Sequence, residues 1–226
     1  MTNRCDICVF RSKAIGALSI EEVRLLNANC TSVHFNRGDL IFKQGAFSLN
    51  VGYLKTGLAK LHMNGLNNKE QIIKLSLAPT FMGIPTSLGN RVNQYSATAI
   101  EPSSVCFIDL EVFKKLIQTN AMFSYEIIKD MATNELNHFR SCFNKTHKNC
   151  KGLLAEILLD FSNTIYKSNT FTMPLNRNEI ANLANSSREM ISRLLSQFHQ
   201  DKIIDLQGRN VRILNAALLE KINNFG

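Results

Sequence analysis

Arg188, Glu189, Ser192, Arg193 and Ser196 stand close together in the chain, and each carries a group that can read the edge of a base pair. A guanidinium bridges the two acceptors of guanine in the major groove, a carboxylate accepts from the cytosine amino group, and a hydroxyl suits several edges. Interleaved with them are Ile191, Leu194, Leu195 and Phe198, at i, i+3, i+4 and i+7. At about 100° per residue these four form a single stripe, so a helix over residues 187–200 buries them and turns the polar set outward. Ser187 opens that helix and joins the candidate DNA contacts.

The neighbouring residues supply what such a helix needs to be presented. Asn176 with Glu179, and Ser186 with Glu189, have the spacing of a capping box, which predicts two helix starts. Only Ala184 and Asn185 are then left between the helices, the short link of a helix-turn-helix. Beyond His199, residues 202–206 and 211–214 read as two short strands around the turn Gln207, Gly208, Arg209 and Asn210. The module is expected to be winged, with Arg209 and Arg212 on the wing meeting phosphate.

Composition bounds the rest. A chain of 226 residues with 45% apolar content has material for two buried cores and is not disordered. No stretch reaches the roughly 18 apolar residues of a membrane span, and the first residues lack the apolar core of a signal peptide, so the expected location is the cytoplasm, with no membrane partner. The net charge of +8 suits a polyanion such as double-stranded DNA but does not locate it, because most of the excess lies before residue 150. Arg140, Lys145, Lys148 and Lys151 could meet phosphates but read better as a solvated helix face.

The front of the chain follows another rhythm. After a helix expected over residues 19–27, short alternating runs at 39–43, 52–55, 58–63, 71–77, 96–100 and 104–109 are punctuated by Gly38, Gly45, Gly57, Gly65 and Gly83. This is the pattern of a small β-barrel or jelly roll. From Leu110 the period turns helical, and residues 122–143 form one long helix whose stripe of Ile128, Ala132, Leu136, Phe139 and Phe143 suits pairing with a second copy. Asn134 and Glu135 keep its apolar band narrow, and packing against the chain's own barrel remains the alternative.

The order barrel, long helix, winged helix-turn-helix resembles the Crp/Fnr family of bacterial transcription regulators over nearly the whole chain. The passages Arg37-Gly38-Asp39-Leu40-Ile41-Phe42-Lys43-Gln44-Gly45 and Glu101-Pro102-Ser103-Ser104-Val105-Cys106-Phe107-Ile108 are similar to the family's barrel, and Ser187-Arg188-Glu189-Met190-Ile191-Ser192-Arg193-Leu194-Leu195 to its recognition helix. The resemblance implies a homodimer on a two-fold symmetric promoter site, contact with RNA polymerase, and a signal received in the barrel. Glu189, Ser192 and Arg193 match the Glu-x-x-Ser-Arg arrangement of the Fnr branch, which implies half-sites like TTGA and TCAA. Arg188 resembles the cyclic AMP branch instead.

Two further features concern the signal. Family members that bind cyclic AMP hold its phosphate with a glutamate after a glycine and an arginine before a Ser-Ala or Thr-Ala pair. Here Ala78-Pro79-Thr80-Phe81-Met82-Gly83 and Gln94-Tyr95-Ser96-Ala97 supply neither, so cyclic nucleotide is not expected. Cys5 and Cys8 have the spacing of iron-sulfur and zinc ligands, and Cys106 stands where the Fnr branch has its central cluster cysteine. The branch's further cysteine is absent, with Lys13 and Ala14 in its place, so a four-thiolate site has to recruit Cys30. Buried packing is the other reading of Cys30 and Cys106. His138 and Cys142, with His147 and Cys150 beyond, offer a zinc set whose helical phase is poor, and His34 and His62 read as surface or packed residues.

The chain is therefore expected to be α+β: a cyclic-nucleotide-binding-like jelly roll over residues 1–120, a dimerisation helix over 121–147 and a winged helix-turn-helix over 148–226. No nucleophile, base and acid can be assembled, so a regulator and not an enzyme is expected. A metal or iron-sulfur redox sensor acting through Cys5, Cys8 and Cys106, and a cyclic-nucleotide-binding module, stay open beside it.

Overall fold

The computed structural model describes residues 11–65 and 70–226, which leaves Cys5 and Cys8 outside the described residues. It divides into two compact units, Met1–Leu136 and Asn137–Gly226.

The first unit opens with α1 (Lys13–Gly16) and α2 (Ile20–Ala28). A capping box starts α2: the Ser19 hydroxyl accepts from the Glu22 N–H at 3.2 Å, and the Glu22 carboxylate accepts from the Ser19 N–H at 2.8 Å. Eight strands follow: β1 (Cys30–Phe35), β2 (Leu40–Phe42), β3 (Asn50–Thr56), β4 (Leu58–Asn64), β5 (Glu70–Leu77), β6 (Thr80–Met82), β7 (Ser96–Ala99) and β8 (Ser103–Asp109), with the short α3 (Ile84–Leu88) before β7. They pair into two four-stranded antiparallel sheets, ordered β1-β8-β3-β6 and β2-β7-β4-β5. Alternation dictates which side chains meet. Leu54 and Val105 from one sheet join Ala59, Leu61, Ala97 and Ala99 from the other in a single buried cluster. The opposite face of β3 and β8, carrying Val51, Tyr53, Cys106 and Ile108, packs under α1, α2 and α4 (Leu110–Thr119) and the start of α5 (Ala121–His147).

Gly57 shows why the β3–β4 link needs glycine: its φ is +93°, and a Cβ there would run into the Pro102 carbonyl and Ser103. The alternating runs did not include β6, and of β1 only the stretch around His34 reads as strand-like. Cys30, expected simply to follow a helix, opens β1 opposite Ile108.

Helix α5 spans the expected 121–147, and its buried residues lie in its first turns. Phe123 and Ile127 are buried, whereas Ile128 (64%), Leu136 (65%), Phe139 (57%) and Phe143 (59%) are exposed.

The second unit is built from α6 (Cys150–Asp160) continuing into a π-helical turn (Phe161–Ile165), then β9 (Thr170–Thr172), α7 (Arg177–Leu183), α8 (Arg188–Gln200), β10 (Ile204–Gln207), β11 (Asn210–Ile213) and α9 (Ala216–Phe225). Its sheet is three-stranded, β10-β11-β9, one strand more than the sequence pattern showed. The Phe161 ring stacks on Phe171 of β9 at 6.0 Å, which ties the end of α6 to the sheet.

Candidate nucleic-acid interface

Helix α8 is amphipathic in the way its spacing requires. Ile191, Leu194, Leu195 and Phe198 are all buried, while Ser187, Arg188, Glu189, Arg193 and Ser196 are exposed and Ser192 is half-exposed. Its start differs from the sequence expectation. Ser187, not Ser186, is the N-cap, its hydroxyl accepting from the Met190 N–H at 3.2 Å, so Glu189 lies in the first turn. The physical reason is the preceding turn: Asn185 takes a left-handed φ of +50°, and the Ser186 N–H bonds back to the Ala181 carbonyl at 2.9 Å. That exit uses residues 184–187, so the link is longer than Ala184 and Asn185 alone. The capping box expected at α7 is present, with Asn176 and Glu179 bonding each other's backbone N–H groups at 3.0 and 2.8 Å.

Each reading side chain has a local setting. An Arg193 terminal amine lies 3.0 Å from the Met190 sulfur, one turn back on the same face, which extends the guanidinium along the helix. The Ser196 hydroxyl donates to the Ser192 carbonyl at 3.0 Å, so it meets a base chiefly as an acceptor. Glu189 near the α8 N-terminus is favoured there by the backbone dipole.

The wing is a two-residue hairpin whose turn places Gly208 at φ +63°. Arg212 on β11 is exposed. Arg209 is more constrained: its Nε donates to the Met173 carbonyl at 3.0 Å and a terminal amine to the Pro174 carbonyl. What is left for a phosphate is its charge and the remaining amine. The same bonds pin the wing to the segment that leads into α7. There the structure adds a residue that the sequence reading passed over, Arg177, the first residue of α7. Burial holds its guanidinium below the usual arginine range, and the charge of Arg209 lowers it further. Two neighbouring guanidiniums at a helix N-terminus favour an anion between them. A basic residue directly after an N-cap, in a module already read as DNA-binding, was the available signal.

In the barrel, the two stretches that lack the phosphate cassette contact each other. The Tyr95 hydroxyl accepts from the Gly83 N–H at 3.2 Å, its ring packs against Phe42 at 5.7 Å, and burial raises its pKa above the ordinary phenol range. Gly83 sits at φ +82°, and Ile84, next in the chain, is buried.

The cysteines fall in three places. Cys106 is buried and Cys30 half-buried on the same, helix-covered face of β8 and β1, where Cys106 pairs with Ser32 and Cys30 with Ile108. Cys142 is exposed on α5, with His138 Nε2 at 3.5 Å from its sulfur. Cys150 turns away and donates to the Ser186 hydroxyl at 3.0 Å, while His147 stacks on Phe143 at 4.0 Å. The zinc set of His138, Cys142, His147 and Cys150 is therefore not brought together, because the last two residues have other partners. No group of three or more His, Cys, Asp or Glu that could hold a metal ion occurs among the described residues. Cys30 and Cys106 are two of the four cysteines of the expected cluster set, and the other two, Cys5 and Cys8, lie outside the described residues. Of the two histidines read as surface or packed, His34 is exposed and His62 is buried, its Nε2 2.9 Å from the Thr98 hydroxyl.

Among the described residues no helix is long and apolar enough to cross a membrane. A cyclic nucleotide-binding domain model matches residues 32–120, and a Crp-like helix-turn-helix model matches residues 154–222. Among curated proteins, the chain is 26% identical to the transcriptional activator protein FnrL of Cereibacter sphaeroides, over 97% of this chain and 92% of that one. It is 24% identical to the transcriptional activator protein FnrA of Stutzerimonas stutzeri, over 80% of this chain and 75% of that one. The solved structure of FixK2 from Bradyrhizobium japonicum shares the fold with a TM-score of 0.77 at 19% identity, covering 86% of this chain and 97% of that one. With a matching barrel, a matching reading head and relatives of the same arrangement, this chain belongs to the Crp/Fnr family of DNA-binding transcription regulators.

Proposed function

We propose that the chain acts as a cytoplasmic homodimer without catalytic activity, placing one α8 in each half of a symmetric site of the form TTGA, short spacer, TCAA. The observation that carries this is the environment of α8: its apolar stripe is wholly buried, and the side chains left outside are those that read base edges. Arg193 takes guanine in a bidentate contact, Glu189 accepts from the cytosine amino group opposite, and Ser187, Arg188, Ser192 and Ser196 line the same groove. Arg212, Arg209 and Arg177 hold phosphates on either side. The stripe Ile128, Ala132, Leu136, Phe139 and Phe143 on α5 is the interface with the second copy, since large apolar side chains this exposed in a row mark a partner. RNA polymerase is the further partner that this family membership brings.

The barrel responds to something other than a cyclic nucleotide, since Tyr95 bonds the Gly83 N–H and no acid or arginine of the cassette is present. A cluster-bearing sensor is the second reading, supported by Cys106 and Cys30 sharing one face. Chain purified without oxygen is expected to be colourless; one cluster per chain, seen as a visible charge-transfer band, overturns that expectation. The main proposal is tested by sedimentation and by titrating a duplex carrying the symmetric site. Two chains per duplex are expected, and one chain per duplex or equal affinity for a scrambled duplex contradicts it.

A further inference from the structure

Strand β8 carries a buried hydroxyl with nothing to bond. Ser104 is only 5% exposed, and its Oγ has no hydrogen-bond partner. Most buried polar atoms in folded proteins are paired, and one left unpaired costs stability, so this hydroxyl marks a place where a partner from outside the chain is gained at little expense. Ser104 shares a face of the sheet with Cys106, two residues on, and stands in register between His34 of β1 and Thr56 of β3.

A lysine is aimed across that place. The β3–β8 register slips between Leu54 and Thr56, so Lys55 is an extra residue with none opposite it, and bulges of this kind re-aim a side chain. Its Nζ donates to the Ser32 hydroxyl at 3.2 Å. Because β8 lies between β3 and β1, that bond spans two strand spacings, about 10 Å, and carries the lysine over β8. Ser32 pairs with Cys106 and so belongs to the face of Ser104. Among the described residues no carboxylate pairs with Lys55. One ammonium and two hydroxyls therefore meet on three neighbouring strands, with the exposed His34 at their edge.

We propose that Lys55, Ser104 and Ser32 form a binding site for a small oxyanion of the phosphate class, on the face of this sheet turned away from the core that the two sheets share. Lys55 supplies the charge-assisted bond, and the two hydroxyls donate to the remaining oxygens. An anion that draws the ammonium off Ser32 uncovers β8 and gives Ser104 the partner it lacks. The site requires neither the dimer nor DNA.

The test uses full-length reduced chain carrying Arg177→Ala, so that the reading head does not compete, titrated with inorganic phosphate by calorimetry at an ionic strength held constant with chloride. One phosphate per chain is expected to bind saturably. Adding Lys55→Met should weaken it about 10- to 150-fold, the range for a hydrogen bond to a charged group, and Ser104→Ala about 10-fold, whereas Lys114→Met on α4 should leave it unchanged. Without phosphate the Ser104→Ala chain should melt no lower than its parent, since it loses only an unpaired hydroxyl, and phosphate should raise its melting temperature less. No saturable heat in the parent, or an affinity that Lys114→Met lowers as much as Lys55→Met does, overturns the site. If Lys55→Met folds poorly, Ser104→Ala decides: phosphate binding equal to the parent's, or a lower melting temperature without phosphate, overturns it.

Discussion

The reading head and the barrel of this protein differ in how scaffold and side-chain chemistry relate. In the head, scaffold and chemistry agree: the capped α7, the turn through Asn185 and the buried stripe of α8 present Arg188, Glu189, Ser192 and Arg193 to solvent. In the barrel the scaffold is intact, with paired four-stranded sheets and left-handed glycines at 38, 45, 57 and 83, yet the chemistry that a cyclic phosphate needs is replaced by Ile84 and Tyr95. A fold records what a domain can be built to do, and individual side chains decide what it does. The output of this regulator is thus readable from its side chains, whereas an input other than a cyclic nucleotide is the proposal that the barrel's side chains support.

The contrast can be broken first at α5, which links the two regions in the chain. Leu136→Glu or Phe139→Glu places a lone charge in the proposed two-fold interface, so the dimer dissociation constant should rise on the order of 100-fold, with DNA affinity falling alongside. Unchanged sedimentation in both variants would remove that helix from the interface. The barrel side comes next. Calorimetry with cyclic AMP and cyclic GMP should show no saturable heat at micromolar levels, and a micromolar dissociation constant for either would contradict the proposed loss of nucleotide binding.

A smaller effect separates the two wing arginines. Arg212→Ala should weaken all sequences alike and reduce the salt slope by about 1, as expected for one phosphate contact. Arg209→Ala should do that and also lower the melting temperature, since its bonds to the Met173 and Pro174 carbonyls hold the wing in place. Equal thermal stability of the two variants argues against that anchoring role.

The smallest effect is far from DNA. The Ser19 backbone N–H, and then the Asn120 side chain, hold the Glu22 carboxyl below its ordinary value of 4.5. A depressed carboxylate contributes stability above its unfolded value, and the contribution is lost as pH falls through the folded one. Glu22→Gln should therefore cost a few tenths to about 1 kcal/mol near pH 7 and nothing well below pH 4, by chemical denaturation. An equal gap at both pH values would assign the cost to something other than charge.

Legibility from sequence followed the same division. The α8 stripe was readable because four apolar residues at helical spacing leave little choice of which face is buried. The helix start was misplaced by one residue because Ser186 and Ser187 are both competent caps, and the decision belongs to the left-handed Asn185. Strands β6 and β9 are only three residues each, too short to show alternation, and they appear through pairing with Gly52 and Val211 on distant segments. Arg177 was passed over because its significance comes from Arg209, which lies far along the chain and reaches it through the folded wing. The Tyr95 contact with Gly83 was invisible for the same reason: the sequence showed Tyr95 standing before the Ser-Ala pair, and only the fold brings its hydroxyl to the Gly83 N–H.

The central claim is that α8 reads bases through Arg193, and binding-site selection from random duplexes at one fixed salt concentration tests it most directly. Wild type is predicted to select a two-fold symmetric site with guanine fixed in each half, and Arg193→Ala to lose about 1 to 3 kcal/mol of preference at that guanine while keeping its affinity for unrelated DNA. Full retention of the guanine preference in the alanine variant, or no symmetric site for the wild type, would contradict the account.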